Sequence, residues 1–145
     1  MDYPKQALGF MLRQNRLDQN LSLRALAERT GISAMYLSDV ENGVQRPADY
    51  TLRKLFSELA LPYDPALLWQ PEFTLHPLTQ AILDYRMDRR DAFFDDLWQR
   101  REALKASCHY AQFLLAEWIV RISRGENREA RVYQLRDILE AAGSA

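Results

Sequence analysis

Apolar residues recur every three to four positions along almost the whole chain, and proline, glycine and short polar residues interrupt them at a few sharp places. Ala7, Leu8, Met11, Leu12 and Leu17 form the first stripe and predict a helix from about Pro4 to Leu17, with Pro4 at its start, where a missing N–H costs nothing. Asp18-Gln19-Asn20 ends it. Ser22 is a suitable N-cap for a second helix that buries Leu23, Leu26 and Ala27 and stops at Thr30-Gly31. Ser33 caps a short third helix with Leu37 and Val40 inward, closed by Asn42-Gly43, residues that tolerate positive φ. After an irregular Val44-Gln45-Arg46-Pro47 stretch, Leu52, Leu55, Phe56 and Leu59 mark a fourth helix, and Leu67, Leu68 and Trp69 a short fifth.

The segment from Gln70 to Pro77 is bracketed by Pro71 and Pro77 and reads as a linker, because a residue before proline is biased toward extended backbone. Beyond it the pattern changes. From Leu78 to Arg124 there is neither Gly nor Pro, and Phe94, Leu97, Arg101, Leu104, Cys108, Ala111, Leu115, Trp118 and Ile122 follow one another at spacings of three and four. Such a run is one long helix or two packed ones with a break near Ser107, the break being favoured. A last helix follows Gly125, with Asn127 as cap, Val132, Leu135, Ile138 and Leu139 as apolar face and Gly143 as terminator. No strand pattern and no internal repeat is visible. The expected fold is therefore all-α, with a five-helix unit at residues 1–69, a linker at 70–77 and a second helical unit at 78–145.

Composition keeps this picture and narrows the chemistry. With 145 residues, 48% hydrophobic and 27% charged, the chain falls in the globular range. No stretch approaches the roughly 20 apolar residues of a membrane span, and Met1-Asp2-Tyr3-Pro4 does not open a secretory signal, so a cytoplasmic location is expected. Cys108 is the only cysteine and cannot form an internal disulfide. Adjacent Cys108 and His109 inside an apolar run do not supply the ligand set of a metal site, so Cys108 is expected to be a small buried apolar residue, and no metal or cofactor is implied. Asp91, Asp95 and Asp96 read as surface residues compensating a helix dipole rather than as a metal cluster.

Net charge is −1, and neither half is basic: residues 1–70 carry eight basic and eight acidic side chains, residues 71–145 eleven and twelve. Indiscriminate nucleic-acid binding is thereby disfavoured. A local basic patch on a largely acidic surface remains compatible, because screening confines each charge to about 10 Å.

The informative stretch runs from Leu21 to Gly43. Leu26, Ala27, Ile32, Leu37 and Val40 join two helices across a turn made by Gly31, and Ala27 is small enough to let them cross closely. Ser33, Ala34, Met35, Ser38 and Asp39 remain exposed at the start of the third helix. Leu26-Ala27, Gly31 with Ser33 two residues on, Tyr36-Leu37-Ser38, Glu41-Asn42-Gly43, Pro47 and the Leu52-Leu55 helix resemble the Cro/cI-type (XRE) helix-turn-helix family of phage repressors and bacterial regulators, over about residues 4–69. The resemblance implies a lambda-repressor-like five-helix domain that binds double-stranded DNA, with the edge of its third helix entering the major groove N-terminus first.

Carried onto this sequence, the family's base-reading positions fall on Ala34, Met35, Ser38 and Asp39. Ala34 and Met35 offer apolar contact suited to the thymine methyl, and Asp39 can accept from the cytosine amino group. Long amides are absent, so readout is expected to lean on shape and thymine contacts rather than bidentate hydrogen bonds. The family's phosphate contacts point to Ser22, Arg24, Ser33, Tyr36, Asn42, Gln45 and Arg46, and Ser22 and Ser33 serve equally as plain helix caps. Leu23 departs from the pattern, since glutamine commonly sits there. The resemblance also implies that Arg16 pairs with Glu41 as a structural ion pair, so that this carboxylate is not left free beside DNA.

A single unit reads half a site, and regulators gain affinity by pairing half-sites about one helical turn, ~34 Å, apart. The second half is rich in aromatic residues, which marks it as the expected homodimerisation region, with Phe94, Trp98, Leu115, Trp118, Ile122, Leu135 and Leu139 as candidates. Trp118-Ile119-Val120-Arg121-Ile122-Ser123 and the terminal amphipathic helix loosely resemble helical dimerisation domains of stress-response repressors. Two functions follow as expectations: a dimeric repressor on a palindromic operator, through recognition helix 33–42, or an antitoxin that autoregulates its operon and binds a toxin protein through the C-terminal half. Neither a phosphate-cradling glycine loop nor a nucleophile motif is present, so no enzyme is expected.

Overall fold

A computed structural model describes residues 3–126 and 132–143, with side chains for 3–126 and 136–142, and every element in it is a helix. In chain order these are α1 (Lys5–Asp18), α2 (Leu23–Thr30), α3 (Ala34–Glu41), α4 (Asp49–Glu58), α5 (Pro65–Leu68), α6 (His76–Leu83), α7 (Met87–Gln99), α8 (Arg101–Lys105), α9 (Tyr110–Ser123) and α10 (Val132–Gly143). The expected caps are in place: Ser22 Oγ accepts from the Ala25 N–H at 3.0 Å and Ser33 Oγ from the Tyr36 N–H at 3.1 Å. Gly31 and Gly43 take left-handed backbone at φ 72° and 74°. Pro4 is the residue capping α1 rather than its first helical one, and Trp69 is extended and outside α5, which starts instead at Pro65, behind an Asp64 cap. Asn127, expected to cap the last helix, and the side chains of Val132 and Leu135 lie outside the described residues.

The long run without Gly or Pro is broken three times. Between α6 and α7 the chain turns at Tyr85, left-handed at φ 55°, with the Arg86 N–H donating back to the Ala81 carbonyl at 2.8 Å. This six-to-one closure normally favours glycine, and Asn20 and Ala60 close α1 and α4 the same way. A second turn at Arg100 separates α7 from α8, and a third, around Ser107, separates α8 from α9. The break near Ser107 is thus present, and Cys108 stands in a turn rather than inside a helix. The turns also change the helical phase. Leu97, Leu104, Cys108 and Ala111 from the expected stripe are buried, whereas α9 goes on burying Phe113, Ala116 and Val120, leaving Leu115 and Trp118 half-buried and Ile122 50% exposed.

One core runs through both halves, from Leu8, Met11, Leu26, Leu37, Leu55 and Phe56 to Leu78, Leu97, Cys108, Phe113 and Val120. Helix α1 packs on α3 as well as on α9 and α10. Asn15 Nδ2 donates to the Lys105 carbonyl at 2.9 Å, and the Tyr110 hydroxyl donates to Asp18 at 3.0 Å. The segment 70–77, expected as a linker, is held down: the Gln70 N–H donates to His109 Nε2 at 2.9 Å, and the His109 ring lies 4.5 Å from both the Trp69 and the Phe73 ring. Pro71 lies in irregular backbone that aromatic burial anchors, whereas His76 and Pro77 already belong to the first turn of α6, so the expected linker ends two residues early.

Candidate nucleic-acid interface

Recognition by α3 requires that the helix be held rigidly from behind, and three features hold it. Arg16, from α1, meets Glu41 at two points, Nε to Oε2 at 2.7 Å and Nη2 to Oε1 at 2.8 Å, and its remaining Nη1 donates to the Leu21 carbonyl at 2.8 Å. Both side chains are less than a tenth exposed. The carboxylate hydrogen bonds hold the Arg16 pKa above its ordinary value. Gly9 supplies the second feature: a Cβ there would stand 2.4 Å from the Glu41 carbonyl oxygen and 2.5 Å from that of Val40, so α1 crosses the end of α3 at backbone distance. The third is the apolar pair Leu37 and Val40, buried against α1 and α2.

With that back face fixed, Ala34 is exposed and Met35 78% exposed, while Ser38 and Asp39 are half-buried. Asn42 Nδ2 donates to Ser38 Oγ at 3.3 Å, so one expected phosphate contact and one expected base contact lean on each other. The Asp39 carbonyl accepts from the N–H groups of Val44 and Gln45, which ties the following loop to α3. Exposed Gln45 and Arg46 follow in that loop, with Val44 and Tyr50 also exposed near it. Ser22 and Arg24 are exposed at the start of α2, where Arg24 makes only a loose 3.8 Å contact with Glu28, and Tyr36 is half-buried.

This geometry is that of a helix-turn-helix, and the comparisons agree. The chain matches the helix-turn-helix family over residues 12–65. An uncharacterized HTH-type transcriptional regulator, found in two strains of Mycobacterium tuberculosis, is 38% identical over 109 residues, covering 69% of this chain and 78% of the relative. The chain belongs to the helix-turn-helix transcriptional regulators. It is an XRE-type, DNA-binding regulator, all-helical throughout its described residues. No solved structure matches it.

In this regulator the expected dimerisation residues differ in exposure. Trp98, Ile122 and Leu139 are about half exposed, whereas Phe94, Leu115 and Trp118 are half-buried, and the Leu135 side chain is outside the described residues. Trp98 stacks on Phe113 at 6.4 Å between ring centres and carries the Arg101 guanidinium at 4.7 Å. The acidic trio does not sit at a helix start: α7 begins at Met87, Asp91 pairs with Arg90 and Arg124, and Asp96 with Arg100. Burial pushes the Cys108 thiol up to about 12, so it stays protonated and inert. Among the described residues no helix is long and apolar enough to cross a membrane, and no group of His, Cys, Asp and Glu is arranged to hold a metal.

Sequence reasoning did not single out Tyr3, Gly9, Asn15 or Arg90. Gly9 lies mid-helix, and its place between the buried Ala7-Leu8 and Met11-Leu12 pairs is the signal that could have marked it as a close crossing.

Proposed function

We propose that the chain is a sequence-specific transcriptional repressor that binds a palindromic operator as a homodimer, each copy laying recognition segment 33–42 in the major groove. The observation supporting this reading is the contrast across α3, whose back is fixed by Arg16, Gly9 and Glu41 while Ala34 and Met35 stand free. In this reading Ala34, Met35, Ser38 and Asp39 meet base edges, and Ser22, Arg24, Ser33, Tyr36, Asn42, Gln45 and Arg46 meet phosphates. Residues 1–69 carry the DNA contacts and residues 78–145 the self-association, through the half-exposed apolar positions Trp98, Ile122 and Leu139 and the half-buried Phe94, Leu115 and Trp118.

Selection of bound fragments from random duplex DNA, joined to sedimentation of the free protein, tests both parts. A palindromic consensus and a dimeric mass are expected. A monomer selecting an asymmetric consensus would remove the dimer, and binding without consensus that disappears in moderate salt would remove sequence specificity.

A further inference from the structure

The loop after α3 carries Arg46, whose guanidinium lies 4.4 Å above the centre of the Tyr3 ring. The two partners differ in surroundings. Arg46 is exposed, while Tyr3 is only 6% exposed and belongs to the continuous core. Tyr3 is also odd for a buried tyrosine. Its hydroxyl oxygen is the one buried side-chain polar atom among the described residues with no hydrogen-bond partner. Burial raises the phenol pKa and outweighs the Arg46 guanidinium, whose charge and nearness to the hydroxyl favour the phenolate, so the ring is neutral. A buried tyrosine normally keeps its hydroxyl for a partner. Here the hydroxyl makes no hydrogen bond, and what Tyr3 presents to Arg46 is chiefly its ring face.

An arginine on a mobile stem loses rotamer freedom when it docks on a phosphate, and a flat aromatic platform removes part of that loss in advance. The geometry points to Tyr3 as a positioning residue for DNA binding: its ring presets the Arg46 guanidinium at the phosphate-facing loop after the recognition helix. This rests on the reading of Arg46 as a phosphate contact. The platform comes from the segment preceding α1, which no contact of the recognition helix itself would reveal.

The test is a double-substitution cycle on the full chain, read as affinity for a mixed-sequence DNA duplex at low salt, since phosphate contacts do not depend on sequence. Tyr3→Leu is expected to weaken binding by about two- to fivefold, the range of an exposed cation–π contact. The same substitution in an Arg46→Ala background is expected to change nothing further. Tyr3→Phe, which keeps the ring and deletes the unpartnered hydroxyl, is expected to bind like the original chain. Tyr3→Met fills similar space without a π face and repeats the test should Tyr3→Leu fail to fold, with circular dichroism confirming the fold of each variant. If Arg46→Ala weakens binding but the non-aromatic variants do not, or if their effects add to that of Arg46→Ala, the platform is overturned and the phosphate reading stands. If Arg46→Ala binds like the original chain, both fall.

Discussion

The recognition half, α1–α5, and the C-terminal half, α6–α10, share one core, but the turns beside α3 and the polar groups behind it are arranged differently from those farther along the chain. The turns on either side of α3 have Gly31, Ser33 and Gly43 at the positions that need them, and the buried charge, Arg16, has all three of its directions satisfied by Glu41 and Leu21. Between α6 and α9 the turns are made by Tyr85, Arg100 and the segment around Ser107, and the buried arginine there, Arg90, is shared among Asp91, Met87 Sδ and Ser123. The first region is fixed at single positions, so single substitutions should break it. The second is held by distributed burial and leaves apolar side chains half exposed, a state suited to meeting another surface.

The largest expected effect is therefore at Arg16. Replacing it with alanine leaves Glu41 buried without its partner, and breaking a buried pair costs about 3–5 kcal/mol. Denaturant unfolding of Arg16→Ala measures this, and an unchanged midpoint would mean that the ion pair does not hold α3. Gly9→Ala comes next and has an informative sign. Alanine in a helix interior ordinarily gains about 1 kcal/mol over glycine. At this crossing the added carbon meets the Val40 and Glu41 carbonyl oxygens, and overpacking of that kind costs about 1–3 kcal/mol. A lower melting temperature with weaker DNA binding is expected, and a stabilised variant would show that α1 and α3 can separate freely.

These two positions also show what was legible beforehand. The caps at Ser22 and Ser33 and the turns at Gly31 and Gly43 could be read because each needs a particular residue type at a fixed offset from an apolar stripe. Gly9 was not legible, since what demands it is a carbonyl 32 residues away in sequence, at Glu41. In the C-terminal half the stripe from Phe94 to Ile122 and the break near Ser107 were visible, but the turns at Tyr85 and Arg100, with no Gly or Pro to announce them, were not, and the division into α7, α8 and α9 shifted the buried face. The anchoring of residues 70–77 was hidden for a similar reason. Proline marks irregular backbone, whereas the stacking of Trp69 and Phe73 on His109 depends on contacts nearly forty residues apart.

That anchor yields a smaller, pH-dependent effect. His109 accepts the Gln70 N–H at Nε2 while Nδ1 faces Gln112 Oε1 at 2.7 Å, an arrangement that needs the neutral ring. Burial lowers its pKa below 6.5, with Arg100 acting in the same direction and Gln112 and Glu72 opposing. The unfolded chain then takes up the proton more readily than the folded one, so the contribution is complete above about pH 6.5 and is lost as pH falls from there through the lowered folded value. Unfolding midpoints should drop across that window, and His109→Gln should flatten the drop. A slope identical in the variant would assign the acid sensitivity to other groups.

The smallest effect on the fold, and the sharpest on the contrast between regions, is expected at Met35. Its side chain is 78% exposed, so Met35→Ala should shift stability by no more than about 0.5 kcal/mol. If its apolar surface meets a thymine methyl, the same substitution should relax the base preference at one position of each half-site, leaving affinity for mixed-sequence DNA unchanged. Melting and a repeated fragment selection would separate the two. Unaltered stability with an unaltered consensus would move the reading edge away from Met35, toward Ala34, Ser38 and Asp39. Lost stability would mean instead that the exposed edge of α3 belongs to the framework behind it.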